Sequence, residues 1–509
     1  MQKQNNAQKT GVVMLLSASM VLALAAAGAL WPDDFGAVAK RLLLSTTTNF
    51  GWFYLLTVFV IVIFLLGLAL SRHGSIRLGP DGSRPEFPLF TWIAMLFSAG
   101  FGAGLVFWGV AEPMSHFFTP PFPGMDPQSA PAARVAMGYS FFHWGISQWS
   151  VFALTGLGIG FMQFRKGRDG LVSTALEPVV GKRQGIRTAV DVLAVVATVM
   201  GIATSLGLGV LQISGGLQLV TGWTGSLKMQ LLVIAVMFAA YMLSSTSGLH
   251  RGIRWLSNVN LGLCLALLLF VFIAGPTVFV LNAFTLGLGD YLSHFVEYSL
   301  RLTPYRGGTW VRDWTIFYWA WAIAWSPFVG AFVARVSRGR TIREFIVGVL
   351  VVPPAIACVW IATFGGMALH EDLNHAAGIA AVVDRDVAVA LFTLYRHLPL
   401  GELLSMLSIL LIFIFLVTSA DSATYILAGM ASGGNPDPRQ SLKLFWGMMM
   451  SVVAAVLLAA GGLSSLQTAS LVAALPFTLL LILMMAALIR LLRAEALPEG
   501  RSGRQPPAA

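Results

Sequence analysis

The sequence predicts an all-α integral membrane protein with twelve membrane-spanning helices, and three observations predict it. Of 509 residues, 57% are hydrophobic and only 11% charged, whereas soluble domains carry about 25% charged residues. The mean hydropathy of +0.78 is that of a membrane protein. The apolar residues fall in stretches of about 20, the length that crosses a bilayer. Finally, with the N-terminus placed in the cytoplasm, 23 Lys and Arg fall on the cytoplasmic side of the alternating loops and 9 on the other. That is the positive-inside bias of a multi-pass inner-membrane protein with both termini cytoplasmic. The net charge of +10 is thereby accounted for as charge facing anionic lipid, which argues against a nucleic-acid partner.

The spans start near Gly11, Phe50, Pro88, Arg134, Ala189, Met229, Ser257, Arg312, Thr341, Leu400, Leu442 and Gln467. Residues 1–10 are a cytoplasmic lead, and residues 494–509 a short cytoplasmic tail rich in Pro, Gly and Arg, predicted to be disordered. Lys3 and Lys9 before an apolar run ending in Ala25-Ala26-Ala27 resemble a signal peptide. The run Gly11–Trp31 exceeds the usual h-region of about 7–15 residues, so a retained first span is expected. Between spans 7 and 8, Asp290, Tyr291, His294, Glu297 and Tyr298 alternate with apolar residues, which predicts an amphipathic helix on the outer surface. Cys264 and Cys358 both lie in apolar runs and indicate no disulfide framework. No Gly-x-x-x-x-Gly-Lys loop supports ATP-driven chemistry.

Three spans break the rules of a simple anchor. Span 3 carries Gly100, Gly102 and Gly104 near its middle, each weakening a helix by about 1 kcal/mol relative to Ala. Unwound backbone at membrane depth is tolerated only where it lines a cavity or is covered by protein, and bare backbone there is the usual mark of a transport site; close helix packing through small residues is the alternative. Span 8 places Trp321 and Trp325 on one face, and span 4 carries Trp144, Trp149 and Phe152. Several aromatic faces in a dry cavity suit a quaternary ammonium, which donates no hydrogen bond and is held by cation–π attraction; ordinary aromatic packing is the alternative. Trp31, Trp52, Trp223 and Trp255 read instead as interfacial belt residues. Span 10 carries Thr418-Ser419-Ala420-Asp421-Ser422, oxygen ligands that suit a hard cation, and a costly intramembrane carboxylate; an interhelical hydrogen-bond cluster is the alternative. Asp191 and Glu112 read as helix-end caps or gate contacts, and His143 as a satisfied core histidine with no metal-ligand spacing nearby.

Taken together, the glycine stretch leading to Glu112-Pro113, the run Trp319–Phe328, Ser257-Asn258-Val259-Asn260, Ser337–Glu344 and Thr418–Ser422 resemble the betaine/choline/carnitine transporter family, from about Pro88 to Arg490. The resemblance implies a leucine-transporter-like inverted repeat, with spans 3–7 (residues 88–284) and 8–12 (residues 312–493) as its halves. It implies two peripheral helices within residues 11–87, and a homotrimer contacted through the surface helix of residues 285–311. Carried over, the substrate box is Trp144, Trp149, Trp321 and Trp325, with Phe152, and with Phe101, Ala103 and the three glycines beside it. A sodium site would use Ser98, Phe101, Phe415, Thr418 and Ser419. A second is in doubt, because Thr198 and Phe328 are present but the partner threonine is Ile202. Ala322 opens the box where betaine carriers have a Trp. Gly104, where choline carriers tend to have an Asp, favours a zwitterion. Neutral Asn260, where sodium-independent exchangers have an Arg, favours sodium coupling. The expected activity is sodium-coupled uptake of a quaternary-ammonium zwitterion such as glycine betaine or a sulfonium analogue, without an enzymatic step or bound cofactor. The alternatives are a proton-coupled choline carrier and a sodium-independent exchanger.

Overall fold

Each apolar stretch forms helix because a lipid-embedded backbone must satisfy its own hydrogen bonds. A computed structural model describes residues 2–100, 102–246, 250–305 and 307–495. Ten of its helices are long and apolar enough to cross a membrane. Two departures from one helix per span reconcile this with the expected twelve. Span 3 is two short pieces, α3 (Leu89–Gly100) and α4 (Ala103–Phe118). Spans 11 and 12 merge into α18 (Gln440–Arg493), which kinks where Gly462 takes φ 58°, a conformation open to glycine.

The first helix, α1, runs Gln2–Leu30 and the second, α2, Pro32–Leu70. The expected start of the second near Phe50 is corrected by 18 residues. Pro32 at N1 and Asp33 and Asp34 in the first turn make a good helix start. The 39 residues extend about 58 Å, well beyond the roughly 30 Å hydrocarbon core. Span 4 divides at Gly145 into α5 (Ala130–Trp144) and α6 (Ile146–Gly160), followed by short α7 (Val172–Val180). Spans 5 to 7 are α8 (Gln184–Thr221), α9 (Leu227–Thr246) and α10 (His250–Ala274). The expected amphipathic segment is helical, as α11 (Thr277–Ser293) and α12 (Phe295–Leu300). After a π-helical turn at Arg312–Ile316 come α13 (Phe317–Val336) and α14 (Ile342–His375). Short α15 (Ile379–Arg385) and α16 (Ala390–Tyr395) lead to α17 (Gly401–Ala431).

The core is α6, α8 and α13 with α4, α14, α17 and α18 packed around them. The most apolar windows of Ala130–Arg165, α8 and the α13 span are 94%, 94% and 83% buried, against 33%, 28% and 22% for α1, α9 and α10. Low burial therefore marks α1, α9 and α10, whereas the window of α2 is half buried.

The block Ser337–Glu344 has a structural role. Gly339 sits at φ +81°, and any Cβ there would meet the Arg84 carbonyl. This lets the segment pair with the loop before span 3, through Leu78 N to Arg340 O and Ile342 N to Ile76 O, both 2.8 Å. Thr341 and Glu344 then form a capping box that starts α14. At the other end of the chain, Glu495 accepts from Arg165 Nη2 at 2.8 Å and pairs with Lys166. Burial pushes its carboxyl up, but those two partners outweigh it and hold it below the usual carboxylate range. The predicted disordered tail beyond it lies outside the described residues.

Candidate functional site

Two backbone breaks lie at or next to residues that line one cavity. The first separates α3 from α4, with Gly102 extended at φ −162° and ψ 168° and no side chain capping the start of α4. The second is Gly145, extended at φ −85° and ψ −152° between α5 and α6. A Cβ at Gly145 would fall 2.6 Å from the Phe141 carbonyl. The Ile146 N–H freed by this break donates to the Tyr291 hydroxyl of α11 at 2.9 Å, so the surface helix caps the broken span.

The breaks open onto a cavity of about 80 Å³, several times the roughly 10–15 Å³ that admits one water. Trp144, Trp149, Phe152, Trp321 and Trp325 line it, as do Ala103, Gly102 and Gly104. Trp144 meets Trp321 edge to face at 6.1 Å between ring centroids, and Trp321 lies 6.4 Å from Trp325. Trp149 stands edge-on to Phe152 at 5.2 Å. Each of the expected box residues is therefore at one cavity. Ser98, Gly100 and Phe101 lie outside the residues whose side chains are described. Ile202, at the missing-threonine position of the doubtful second ion site, lines the cavity as an apolar wall. Thr198 spends its hydroxyl hydrogen on Ala194 O at 2.7 Å, and Phe328 packs on Trp325 at 5.5 Å. In α17, Ser419 lines the cavity, while Thr418 donates to Ile414 O at 2.9 Å and keeps its lone pairs.

Gly104 has a steric job beside its lack of charge. A Cβ there would sit 2.6 Å from the Trp321 ring. Gly104→Ala should displace that indole and lower solute affinity by at least about tenfold, the order of one cation–π contact. Equilibrium binding to the purified protein checks this.

Behind the box lies a polar cluster whose pairing the sequence alone did not reveal. Glu112 is fully buried and lies inside α4, which corrects its reading as a helix-end cap. Its Oε1 pairs with His143 Nδ1 at 2.6 Å and with His116 Nε2 at 3.3 Å. Its Oε2 accepts from Trp144 Nε1 at 2.9 Å and from the Tyr318 hydroxyl. His143 Nε2 reaches Thr315 Oγ1 at 2.9 Å, so both its nitrogens are satisfied. It is nevertheless not solitary, because folding brings donor atoms of Glu112, His116 and His143 within 4.8 Å of one another. Both carboxylate oxygens already carry two partners each, so the cluster reads as a clamp on Trp144 rather than an ion site. The one signal available beforehand was the i,i+4 spacing of Glu112 and His116. Asp191, by contrast, does cap a helix, accepting from Ser173 N and Oγ at 3.2 and 2.8 Å at the start of α7.

A second donor set, His370, Glu371 and His375, lies at the end of α14 and is partly exposed. A larger crevice of about 750 Å³ opens between α1, α2, α8 and α18, with a lining that is largely aliphatic and holds no cage of aromatic rings.

Comparison with known proteins agrees with this geometry. The description "BCCT, betaine/carnitine/choline family transporter" matches residues 12–497. An ectoine/hydroxyectoine transporter of Virgibacillus pantothenticus is 60% identical over 96% of this chain and 97% of its own. A glycine betaine transporter of Bacillus subtilis, OpuD, is 45% identical over 94% of each chain. A probable glycine betaine transporter of Desulfitobacterium hafniense is 44% identical over 96% of this chain and 98% of its own. A multi-pass helical bundle, two broken spans facing one aromatic cavity, and a family match over nearly the whole length lead to one conclusion: the chain belongs to the betaine/carnitine/choline family of transporters and is not an enzyme.

Proposed function

We propose that the protein couples sodium entry to uptake of a small carboxylate zwitterion with a cationic head, glycine betaine being the reference solute. The observation that carries this reading is the cavity walled by four indoles and floored by the break at Gly102–Gly104. Indole faces attract a cation that cannot be hydrogen-bonded, at roughly 0.5–2 kcal/mol per ring. The uncapped start of α4 presents backbone N–H groups and the positive end of a helix dipole to the carboxylate. Among the described residues no Asp or Glu lines the cavity, which fits a solute bringing its own negative charge. Sodium would sit between α3 and α17, on oxygens of Ser98, Phe101, Phe415, Thr418 and Ser419, with the site at Thr198 and Phe328 degraded by Ile202. Ion and solute share the Ser419 wall, so each favours the other. The inverted repeat, a homotrimer and cytoplasmic termini belong to the same proposal.

The test is uptake of radiolabelled glycine betaine into proteoliposomes under an inward sodium gradient. Uptake should collapse when potassium replaces sodium; undiminished uptake in potassium, or drive by a proton gradient alone, overturns sodium coupling. Trp325→Ala should weaken binding by about 1–2 kcal/mol. Unchanged affinity by tryptophan quenching and uptake would remove the aromatic box from the mechanism.

A further inference from the structure

Away from the aromatic box, the end of α14 gathers a second set of donor side chains. Glu371 and His375, the latter the last residue of the helix, are four positions apart and share one face. His370 precedes Glu371, and its ring stands edge-on to Phe279 of α11 at 4.8 Å between centroids. The His370 and His375 rings lie 5.4 Å apart. One ligand atom of each of the three residues lies within 4.8 Å of the others. His370 Nδ1 is 3.6 Å from Glu371 Oε1, too far for a hydrogen bond, and it has no hydrogen-bond partner among the described residues. Two ligand atoms held by one tetrahedral zinc at about 2.1 Å stand roughly 3.4 Å apart, so this pair already has the spacing of two ligands of one ion. Asp372 stands apart from the set. Its two oxygens accept from Ile379 N and Ala380 N at 2.7 and 2.8 Å, across the turn at Ala376, which takes φ 50°. The His370 and Glu371 side chains are 20% and 15% exposed, and His375 is exposed, so an ion has a way in.

Two imidazoles and a carboxylate are the donors of a divalent transition-metal ion and suit zinc, whereas magnesium and calcium take oxygen ligands. We propose that His370, Glu371 and His375 form a zinc-type metal site, with water as the fourth ligand. The site is separate from the Glu112 cluster, whose carboxylate oxygens are already taken by four side chains. None of its three residues lines the solute cavity, so it stands independently of the sodium reading. The ion ties together the final turn of α14, at the joint from which α15 and α16 run on to pack against α4, the helix that begins at the break in span 3.

The experiment is calorimetric titration of the purified full chain, free of any histidine tag, with zinc sulfate and, as the control, magnesium chloride. Wild type should bind zinc stoichiometrically and magnesium far more weakly, and zinc should raise the thermal unfolding midpoint, as a ligand of the folded state does. His375→Ala and Glu371→Gln should each weaken zinc by at least about tenfold, since even the loss of a group that only orients a metal ligand costs about 10- to 100-fold. His370→Ala with His375→Ala should abolish the zinc-induced rise in midpoint. Absence of stoichiometric zinc binding to wild type overturns the proposal. So does a zinc affinity unchanged in either single variant, which would place the ion elsewhere, the Glu112 cluster included. Magnesium binding as tight as zinc also overturns it, by making the set a nonspecific charged patch. Should the double variant not fold, because His370 packs on Phe279, His375→Ala decides alone, its side chain being exposed at the helix end.

Discussion

Glu112→Ala should be the most damaging single change in the protein, costing at least about 3–5 kcal/mol because it removes the common partner of a buried charged network. Four side chains from three helices converge on that carboxylate: His116, His143, Trp144 and Tyr318. Alanine leaves their polar atoms without solvent and without partners. It also frees the Trp144 indole, whose N–H is tied to Glu112 Oε2 at 2.9 Å. Thermal unfolding in detergent should show a large fall in midpoint, and any folded fraction should bind solute weakly. Glu112→Gln separates the two effects. Its carbonyl keeps Trp144 and Tyr318, and its NH2 meets the histidine side, where His143 is able to switch tautomer and donate to Thr315 Oγ1 instead. That variant should fold with a loss of about 1–2 kcal/mol and retain solute binding. If Glu112→Ala unfolds no earlier than Glu112→Gln, the clamp is not what holds Trp144.

Removing both hydroxyls of α17, Thr418→Ala with Ser419→Ala, should abolish sodium-stimulated uptake. A sodium ion is held by oxygen ligands, and the proposed site loses two of its five contributors. Stability should change little, because Thr418 donates only within its own helix, to Ile414 O at 2.9 Å and Phe415 O at 3.1 Å. The reciprocal test is solute binding against sodium concentration. Sodium should tighten solute binding in the parent by the usual coupling of about 1–3 kcal/mol, and should have no effect in the double variant. A sodium response preserved in that variant would place the ion elsewhere.

Much of the fold was legible beforehand because the bilayer imposes it. The capping box at Thr341 and Glu344 starts α14 at the expected place, and the glycine stretch does break span 3. The early start of α2 was missed because Lys40, Arg41 and a run of Ser and Thr read as loop by hydropathy. Helix formation at Pro32–Asn49 follows instead from a good N-terminus and continuity with the apolar stretch beyond it. The break at Gly145 was missed because a single glycine in an apolar span is a weak signal; close contact with Tyr291 and Phe141 gives that glycine its purpose.

The candidate site divides in the same way. Position within their spans marked Trp149, Trp321 and Trp325 as unusual, since aromatic residues in membrane helices normally lie at the interface; Trp144 joined them only through the family resemblance. Residue type did not mark the joining of Glu112 to His143, 31 positions apart. Hydropathy, periodicity and charge bias are local quantities, and they determined the number of spans, the aromatic stripes and the broken third span of this protein. Which donors meet which acceptors is a non-local matter decided by packing α4, α5 and α13 together, because a buried polar group takes its meaning from the partner that desolvation forces upon it.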